Sequence, residues 1–560
     1  MLPKQFKKLR AAKLGLGVGL AALSLSVTAQ AAWHGTASHA QVLENATQLG
    51  ALPDTETLRI AVTLKLQNKP ALDSFLQGTH SLVSRDYGRS LSSSEFAASY
   101  APSSRQVQAV TDYLSRAGFS NIKVAANNLL VTAEGKRSLV ESAFNTKIMQ
   151  FKILDQVVHA NTQDVLVPDA LDGIVLAVTG LQNANTAHPL IQHAGAADAA
   201  KSTARPLAGT AAPHVPIQFP AIYDAGSTAK GTSTNIGIIA SGDLTQVLAD
   251  LRTYETQNGL AQQNVIFVPG ITNGTDTRGL DEWDLDSQSS TSISGGVQNL
   301  YFYNAASLDD ADLEVAYNLA VSGNVVKAVN VSLGGCEKSE NTSGAMAATD
   351  TIFEAAQALG ITFFISSGDG GAYTGCSAQE GVTTSVSYPA GSPYVVAVGG
   401  TTLDTNTDGS YAGETTWDGS GGGISKYETA QPWQKALTGN ASRTVPDIAM
   451  DADPNSGATI IVSGSAETVG GTSLAAPLST GTWARVESAH GNSLTFAAPI
   501  IYAAASTFHD VTSGCNTGSN ALDALLSKLL LQKDYCAAAG YDETTGLGSF
   551  DIAKFSAAVP

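Results

Sequence analysis

Histidine is scarce where a hydrolase would need it. The chain of 560 residues has nine, and beyond residue 206 only His214, His490 and His509 remain. None of these sits in a glycine-flanked, helix-starting context suited to a catalytic imidazole, so a serine activated by histidine is disfavoured. Lysine and arginine are also few, 31 against 49 aspartates and glutamates, for a net charge of −18. The imbalance is uneven: residues 33–206 hold 14 basic and 14 acidic side chains, whereas residues 207–560 hold 12 basic and 35 acidic. That second part offers little to nucleic acid or to an anionic membrane, and neither is expected as a partner. It suits acid, because carboxylates neutralise near pH 4 and a chain poor in lysine and arginine then escapes strong positive self-repulsion, although an acidic surface that merely keeps a secreted protein soluble accounts for the composition equally well. No CxxC pair occurs among the four cysteines, which argues against a metal-thiolate site. Past residue 27 no apolar run reaches the length of a membrane helix.

What is present divides the chain into segments. Lys4, Lys7, Lys8, Arg10 and Lys13 precede an apolar run from Leu14 to Val27 and the small-residue pattern Ala29-Gln30-Ala31. This predicts a signal peptide over 1–31 and a secreted product, in the medium or the periplasm. Residues 32–186 read as a small α+β domain: a strand in TLRIAVTLKL (57–66), a helix near 71–77, and a capping box at Ser92-Ser93-Ser94-Glu95 leading into a long amphipathic run that Gly118 ends. Residues 187–216 shift to alanine, threonine, histidine, proline and glycine with no apolar period, a linker where a maturation cut is expected. From 217 to 560 continuous apolar strands alternate with helices: 236–240, 265–269, 297–303, 328–333 and 361–366 as strands, with helices through Val247, Glu282, Leu313 and 345–359. Strands apolar on both faces imply a parallel, doubly wound α/β sheet. All four cysteines lie in this part; three pairings are open, and proximity favours Cys336 with Cys376 and Cys515 with Cys536.

The turn Gly470-Gly471-Thr472-Ser473-Leu474-Ala475-Ala476-Pro477 delivers one serine to the start of a helix. Small residues before Ser473 let a substrate backbone approach, and a helix start favours developing negative charge. With imidazole lacking, the base is sought among carboxylates, and in Gly279-Leu280-Asp281-Glu282-Trp283-Asp284-Leu285-Asp286-Ser287-Gln288 a helix would place Glu282 and Asp286 on one face. Asp281 and Asp284 are equally acidic, so a solvated acidic face is the plainer alternative. Asp369, in Ser367-Gly368-Asp369-Gly370, follows the apolar strand ITFFISS, and the carboxyl ends of parallel strands are where ligand sites form.

GGTSLAAP, EWDLDSQ and SSGDGG resemble the three signature segments of the sedolisins, the serine-carboxyl peptidases, in matching order along the chain, and the chain looks most like the bacterial pseudomonalisin branch. The resemblance implies a subtilisin-like peptidase domain with Ser473 as nucleophile, Glu282 as general base and acid, Asp286 hydrogen-bonded to Glu282 and sharing its proton, and Asp369 lining the oxyanion hole. It also implies that RSLSSSEFAASYAPSSRQVQAVTDYLSRAGF belongs to a ferredoxin-like activation prodomain that inhibits the enzyme intramolecularly. His509-Asp510-Val511-Thr512-Ser513-Gly514 and Ala538-Ala539-Gly540-Tyr541-Asp542 resemble the halves of the family's single calcium site, with carboxylates from Asp510 and Asp542 and main-chain carbonyls from Val511, Ala538 and Gly540. Two departures stand out: alanine replaces the usual glycine at 538, and Gly335 stands where an aromatic residue is common beside the substrate cleft. The expected activity is a secreted, self-processing, monomeric endopeptidase that cleaves polypeptides in acid. The alternatives are an inactive calcium-stabilised binding protein and a glycoside hydrolase working through a carboxylate pair.

Overall fold

In TLRIAVTL the inward residues are buried and the segment forms strand β1 (Thr57–Leu64). The computed structural model describes residues 32–43, 46–194, 209–270, 274–373, 384–518 and 534–560, so the expected signal peptide at 1–31 lies outside the described residues. After β1 come helix α1 (Lys69–Gly78), α2 (Ser93–Ser99) and α3 (Ser104–Ala117). The run expected to continue from the Ser92 capping box is thus two helices, each with its own box, Ser92 with Glu95 and Ser103 with Gln106. Pro102 is the reason: it has no N–H to give and disfavours helical backbone at Ala101. Gly118 closes α3 with φ 96°, a left-handed conformation that costs glycine little.

Strands β2 (Ser120–Val124) and β3 (Leu130–Lys136), helix α4 (Arg137–Phe144) and strand β4 (Val175–Thr179) complete this layer. The sheet order is β2-β3-β1-β4, all antiparallel. A βαββαβ path with this order is the ferredoxin-like arrangement. Two short strands follow, β5 (His188–Pro189) and β6 (Gln192–His193), where no regular pattern was legible; their partners lie in the second domain.

That second domain carries β7 (Asn235–Ser241), α5 (Thr245–Gln257), β8 (Val265–Pro269), α6 (Leu280–Ser294), β9 (Asn299–Ala305), α7 (Asp310–Gly323), β10 (Ala328–Val331) and β11 (Leu333–Cys336). It continues with α8 (Ala345–Leu359), β12 (Thr362–Ser366), β13 (Val396–Thr405), β14 (Ile448–Asp451), β15 (Ala458–Val462), β16 (Ser465–Gly470) and α9 (Thr472–Ala489). Seven strands run parallel in the order β8-β9-β7-β10-β12-β13-β14. The inner strands β7, β10 and β12 are buried almost without interruption, as expected for a sheet covered on both faces, whereas the edge strand β8 is half-buried to exposed. The single strand expected over 328–333 breaks at Ser332, whose side chain turns to the site instead of continuing the ladder.

Trp33–Pro560 form one compact unit. The first domain meets the second through an Arg59–Asp312 ion pair, Gln182 donating to Asp310 at 3.1 Å, Asn127 donating to Asn318 at 2.6 Å and Lys69 with Glu354 at 3.0 Å. No helix among the described residues is long and apolar enough to cross a membrane.

Burial outweighs what cationic compensation the carboxyls receive. It pushes Asp310 up to about 6, Glu487 to about 7, the half-buried Glu428 to about 9, and Glu354 to about 7 in spite of Lys69. Each binds its proton more tightly in the fold than in the unfolded chain, where carboxyls titrate near pH 4. Their contribution is therefore complete below about pH 4 and is lost as pH rises through 6–9. The melting temperature should fall from pH 4 to pH 8; a scan that is flat or rising over that interval contradicts this burial.

Candidate active site

Two buried helices build the site. Helix α6 has no apolar stripe, yet Glu282 to Ser294 are all buried. Several of its polar groups find partners: Ser290 donates to the Asp286 carbonyl at 2.6 Å, Thr291 to the Ser287 carbonyl at 2.6 Å, and the Gln288 amide bonds the Ile461 main chain in both directions at 2.8 Å, while Glu282 Oε1, Asp286 Oδ2 and Ser289 Oγ have no hydrogen-bond partner among the described residues. Helix α9 packs against it through Gly481, where an added Cβ would lie 2.3 Å from the Ser290 carbonyl oxygen. Only glycine permits that approach.

The approach brings Ser473, second residue of α9, to Glu282 in the first turn of α6. Ser473 Oγ donates to Glu282 Oε2 at 2.9 Å, with both residues fully buried. Asp286 lies one turn on, and Ser332 Oγ donates to its Oδ1 at 2.6 Å. The expected hydrogen bond between Glu282 and Asp286 is not made. Ser332 and Asn330 hold Asp286 from the β10–β11 side, and the two carboxyls are coupled through their charges alone. Asp369 approaches from the end of β12; its Oδ1 accepts from the Thr472 N–H and from Thr472 Oγ1, each at 2.8 Å. All four predicted residues therefore converge at one place.

The electrostatics follow from burial. Glu282 is held well above the ordinary carboxyl range by desolvation and then by the nearby charge of Asp286. Desolvation likewise raises Asp286, against the hydrogen bonds from Ser332 and Asn330. Two such groups titrate as a pair. Asp369 is pushed up to about 7 by burial, in spite of hydrogen bonds from Thr472 and the Gln192 side chain. Asp284 is buried too and is raised to about 10 by desolvation and by Asp250, so α6 is not a solvated acidic face.

The residues missed in the sequence are those around the four. Ser332 was expected only as a cleft strand, and Thr472 only as a turn residue. Residues 187–194 were read as structureless, yet β5 pairs antiparallel with β11 and β6 with β16, so this segment runs through the site. A dipeptide of leucine and isoleucine within an alanine-rich stretch was the available signal.

Outside this site, the two expected calcium segments meet. Asp510 Oδ2 accepts from the Gly540 N–H at 3.0 Å and Asp542 Oδ2 from the Ala538 N–H at 3.1 Å, so carboxylates from separate segments close on one loop. Gly540 takes φ 84°, whereas Ala538 is not among the positive-φ residues, so alanine there carries no strain. Val511 is buried beside them. An oxygen-only donor set of this kind fits Ca²⁺. Another cluster, Asp224, His509 and Asp551, already has Lys554 Nζ 2.6 Å from Asp551 Oδ2 as its cation. Cys515 and Cys536 are joined in a disulfide. The pairing of Cys336 with Cys376 falls at residue 376, outside the described residues.

Comparison with known proteins agrees with this geometry. The pro-kumamolisin activation domain family matches residues 44–184 and the subtilase family residues 285–498. Sedolisin of Pseudomonas sp. (strain 101) is 42% identical over 527 residues, covering 90% of this chain and 87% of sedolisin. Xanthomonalisin of Xanthomonas sp. (strain T-22) is 39% identical over 90% of this chain and 66% of its own length. The solved structure of Pseudomonas sedolisin, described as a serine-carboxyl proteinase complexed with two molecules of pseudo-iodotyrostatin, superposes with TM-score 0.58 at 44% identity, covering 62% of this chain and 98% of that one. With a subtilisin-like domain behind a pro-kumamolisin-type activation domain, and with identity of this extent, the chain belongs to the sedolisin family of serine-carboxyl peptidases.

Proposed function

We propose that the chain is a secreted, acid-active endopeptidase made as a self-processing zymogen, with Ser473 as nucleophile, Glu282 and Asp286 as its base system and Asp369 in the oxyanion hole. The observation that carries the reading is the 2.9 Å hydrogen bond from Ser473 Oγ to Glu282 Oε2 in a buried contact. The proton on Ser473 passes to Glu282 as Oγ attacks the substrate carbonyl, and returns to the leaving amine when the C–N bond breaks. Asp286 makes full ionisation of the pair costly, so loss of the first proton leaves one charge and one proton between them, the state in which Glu282 can accept from Ser473. Thr472 occupies Asp369 Oδ1 as an acceptor, which leaves the acid proton to Oδ2. Below about pH 7 that neutral carboxyl donates to the oxyanion, a part more often played by an amide.

The requirement for a charged base and a protonated Asp369 bounds activity on both sides. On a denatured protein substrate the rate should peak between about pH 3 and 5 and fall away as pH passes 7. A maximum at pH 7 or above overturns Glu282 as base. Ser473→Ala should abolish cleavage, Glu282→Gln should lower kcat by about 100- to 10,000-fold and Asp369→Ala by about 100- to 1,000-fold, with circular dichroism unchanged. Cleavage persisting in Ser473→Ala removes this reading and favours an inactive binding protein or a contaminating enzyme. The glycosidase alternative finds no support, since the relatives are peptidases and the acid at 282 holds a serine hydroxyl.

We further propose one structural Ca²⁺ held by Asp510, Asp542 and the carbonyls of Val511, Ala538 and Gly540. Bound to the native state alone, it would stabilise that state by about 2.7 kcal/mol at a hundredfold excess over its dissociation constant. Chelator should lower the melting temperature by several degrees and added calcium should restore it; metal analysis finding no calcium in the purified protein contradicts the site.

A further inference from the structure

The stretch from Ala187 to Ala194 pairs with the walls of the cleft on both sides of Ser473. On one side it runs antiparallel to β11, His188 opposite Gly334 and Pro189 opposite Leu333, and the Leu190 N–H donates to the Ser332 carbonyl at 3.3 Å. On the other side Gln192 stands opposite Gly470, three residues before Ser473, and His193 opposite Val469; the Ala194 N–H donates to the Thr468 carbonyl at 3.1 Å. Pairing thus changes walls between Leu190 and Gln192. A Cβ added to Gly471 would lie 2.2 Å from the Leu190 carbonyl oxygen, 2.6 Å from Asp369 Oδ2 and 3.2 Å from the Gln192 nitrogen. The carbonyl of Leu190 therefore shares one small space with the acid assigned to the oxyanion hole.

The side chains read out the subsites. Leu190 Cδ1 would be 3.0 Å from a Cβ on Gly334, and Pro189 Cγ 3.5 Å from one on Gly279, so apolar residues before the bond rest on bare glycine backbone. Beyond the bond, His193 Nε2 is 2.9 Å from Asp281 Oδ2 and its Nδ1 is 3.7 Å from Glu467 Oε2. An imidazole between two carboxyl groups occupies a place that suits a cationic side chain.

Building on the reading of Ser473 as nucleophile, we propose that residues 187–194 are the enzyme's first substrate, that Leu190–Ile191 is the first bond it hydrolyses, and that Asp281 with Glu467 selects a cationic residue third after the cut. Ser473 Oγ bonds the Leu190 carbonyl carbon while its proton moves to Glu282. The Leu190–Ile191 C–N bond breaks and the Ile191 amine leaves with that proton. Water then adds its hydroxyl to the Leu190 acyl carbon, the bond from that carbon to Ser473 Oγ breaks, and the water's proton passes through Glu282 to Ser473 Oγ, leaving a Leu190 carboxylic acid.

The full chain, purified near neutral pH and shifted to pH 4, is followed by intact mass and N-terminal sequencing. The earliest new N-terminus should be Ile191, and Ser473→Ala should yield none. A wild-type chain that processes itself and digests denatured protein, but whose first N-terminus is elsewhere, overturns the bond assignment alone; a wild-type chain that digests nothing takes the proposed function down with it. For the acidic subsite, the mature enzyme is given the peptide of residues 187–194 and versions carrying His193→Lys or His193→Glu. The lysine peptide should keep kcat/KM within about twofold and the glutamate peptide lose about three- to fivefold, the size of an exposed ion pair. Glu467→Lys should shrink or reverse that difference; equal kcat/KM for all three peptides removes the subsite.

Discussion

The contact between two buried helices is what the rest of the molecule serves. Helix α6 is mostly polar and α9 carries Gly481 where the two cross, so they approach closely enough for Ser473 to reach Glu282. A polar helix in a core is costly unless its groups find partners, and here serine and threonine hydroxyls return to their own backbone while Gln288 clamps the main chain at Ile461. The parallel sheet positions what remains: β12 ends at Asp369, and the break after β10 releases Ser332 to hold Asp286.

Burial gives the site and the scaffold the same preference for acid. A carboxyl removed from water resists charging, and this chain buries many with few lysines or arginines to compensate. Arg443 with Asp447, paired at 2.6 Å and fully buried, is an exception that shows what compensation looks like. At Glu282, Asp286 and Asp369 desolvation is the largest cause of the raised proton affinity, which is the working condition proposed for the catalytic groups and the resting condition of the fold. The proposed chemistry and the stability of the chain are thereby tuned by a single cause.

The activation domain is more than a cover. Its ferredoxin-like sheet docks on α7 through polar contacts, and the segment that leaves it enters the cleft as an extended strand paired to both walls. Such pairing uses main-chain groups and so accepts many sequences, which is what a peptidase cleft requires, while the few side-chain contacts, Leu190 on Gly334 and His193 between Asp281 and Glu467, supply discrimination.

Much of this was legible in the chain. Apolar strands over 236–240 and 361–366 announced a parallel sheet, the glycine turn before Ser473 announced a helix start, and spacing placed Glu282 and Asp286 on one helical face. Those features are local, set by periodicity and turn chemistry, and local rules read them. Tertiary structure alone decided that Asp284 is buried rather than solvated, that Asp286 is held by Ser332 instead of bonding Glu282, and that residues 187–194 become strands. The reason is common to all three: each outcome depends on partners distant in sequence, and neither a burial nor a strand pairing exists until those partners are brought together.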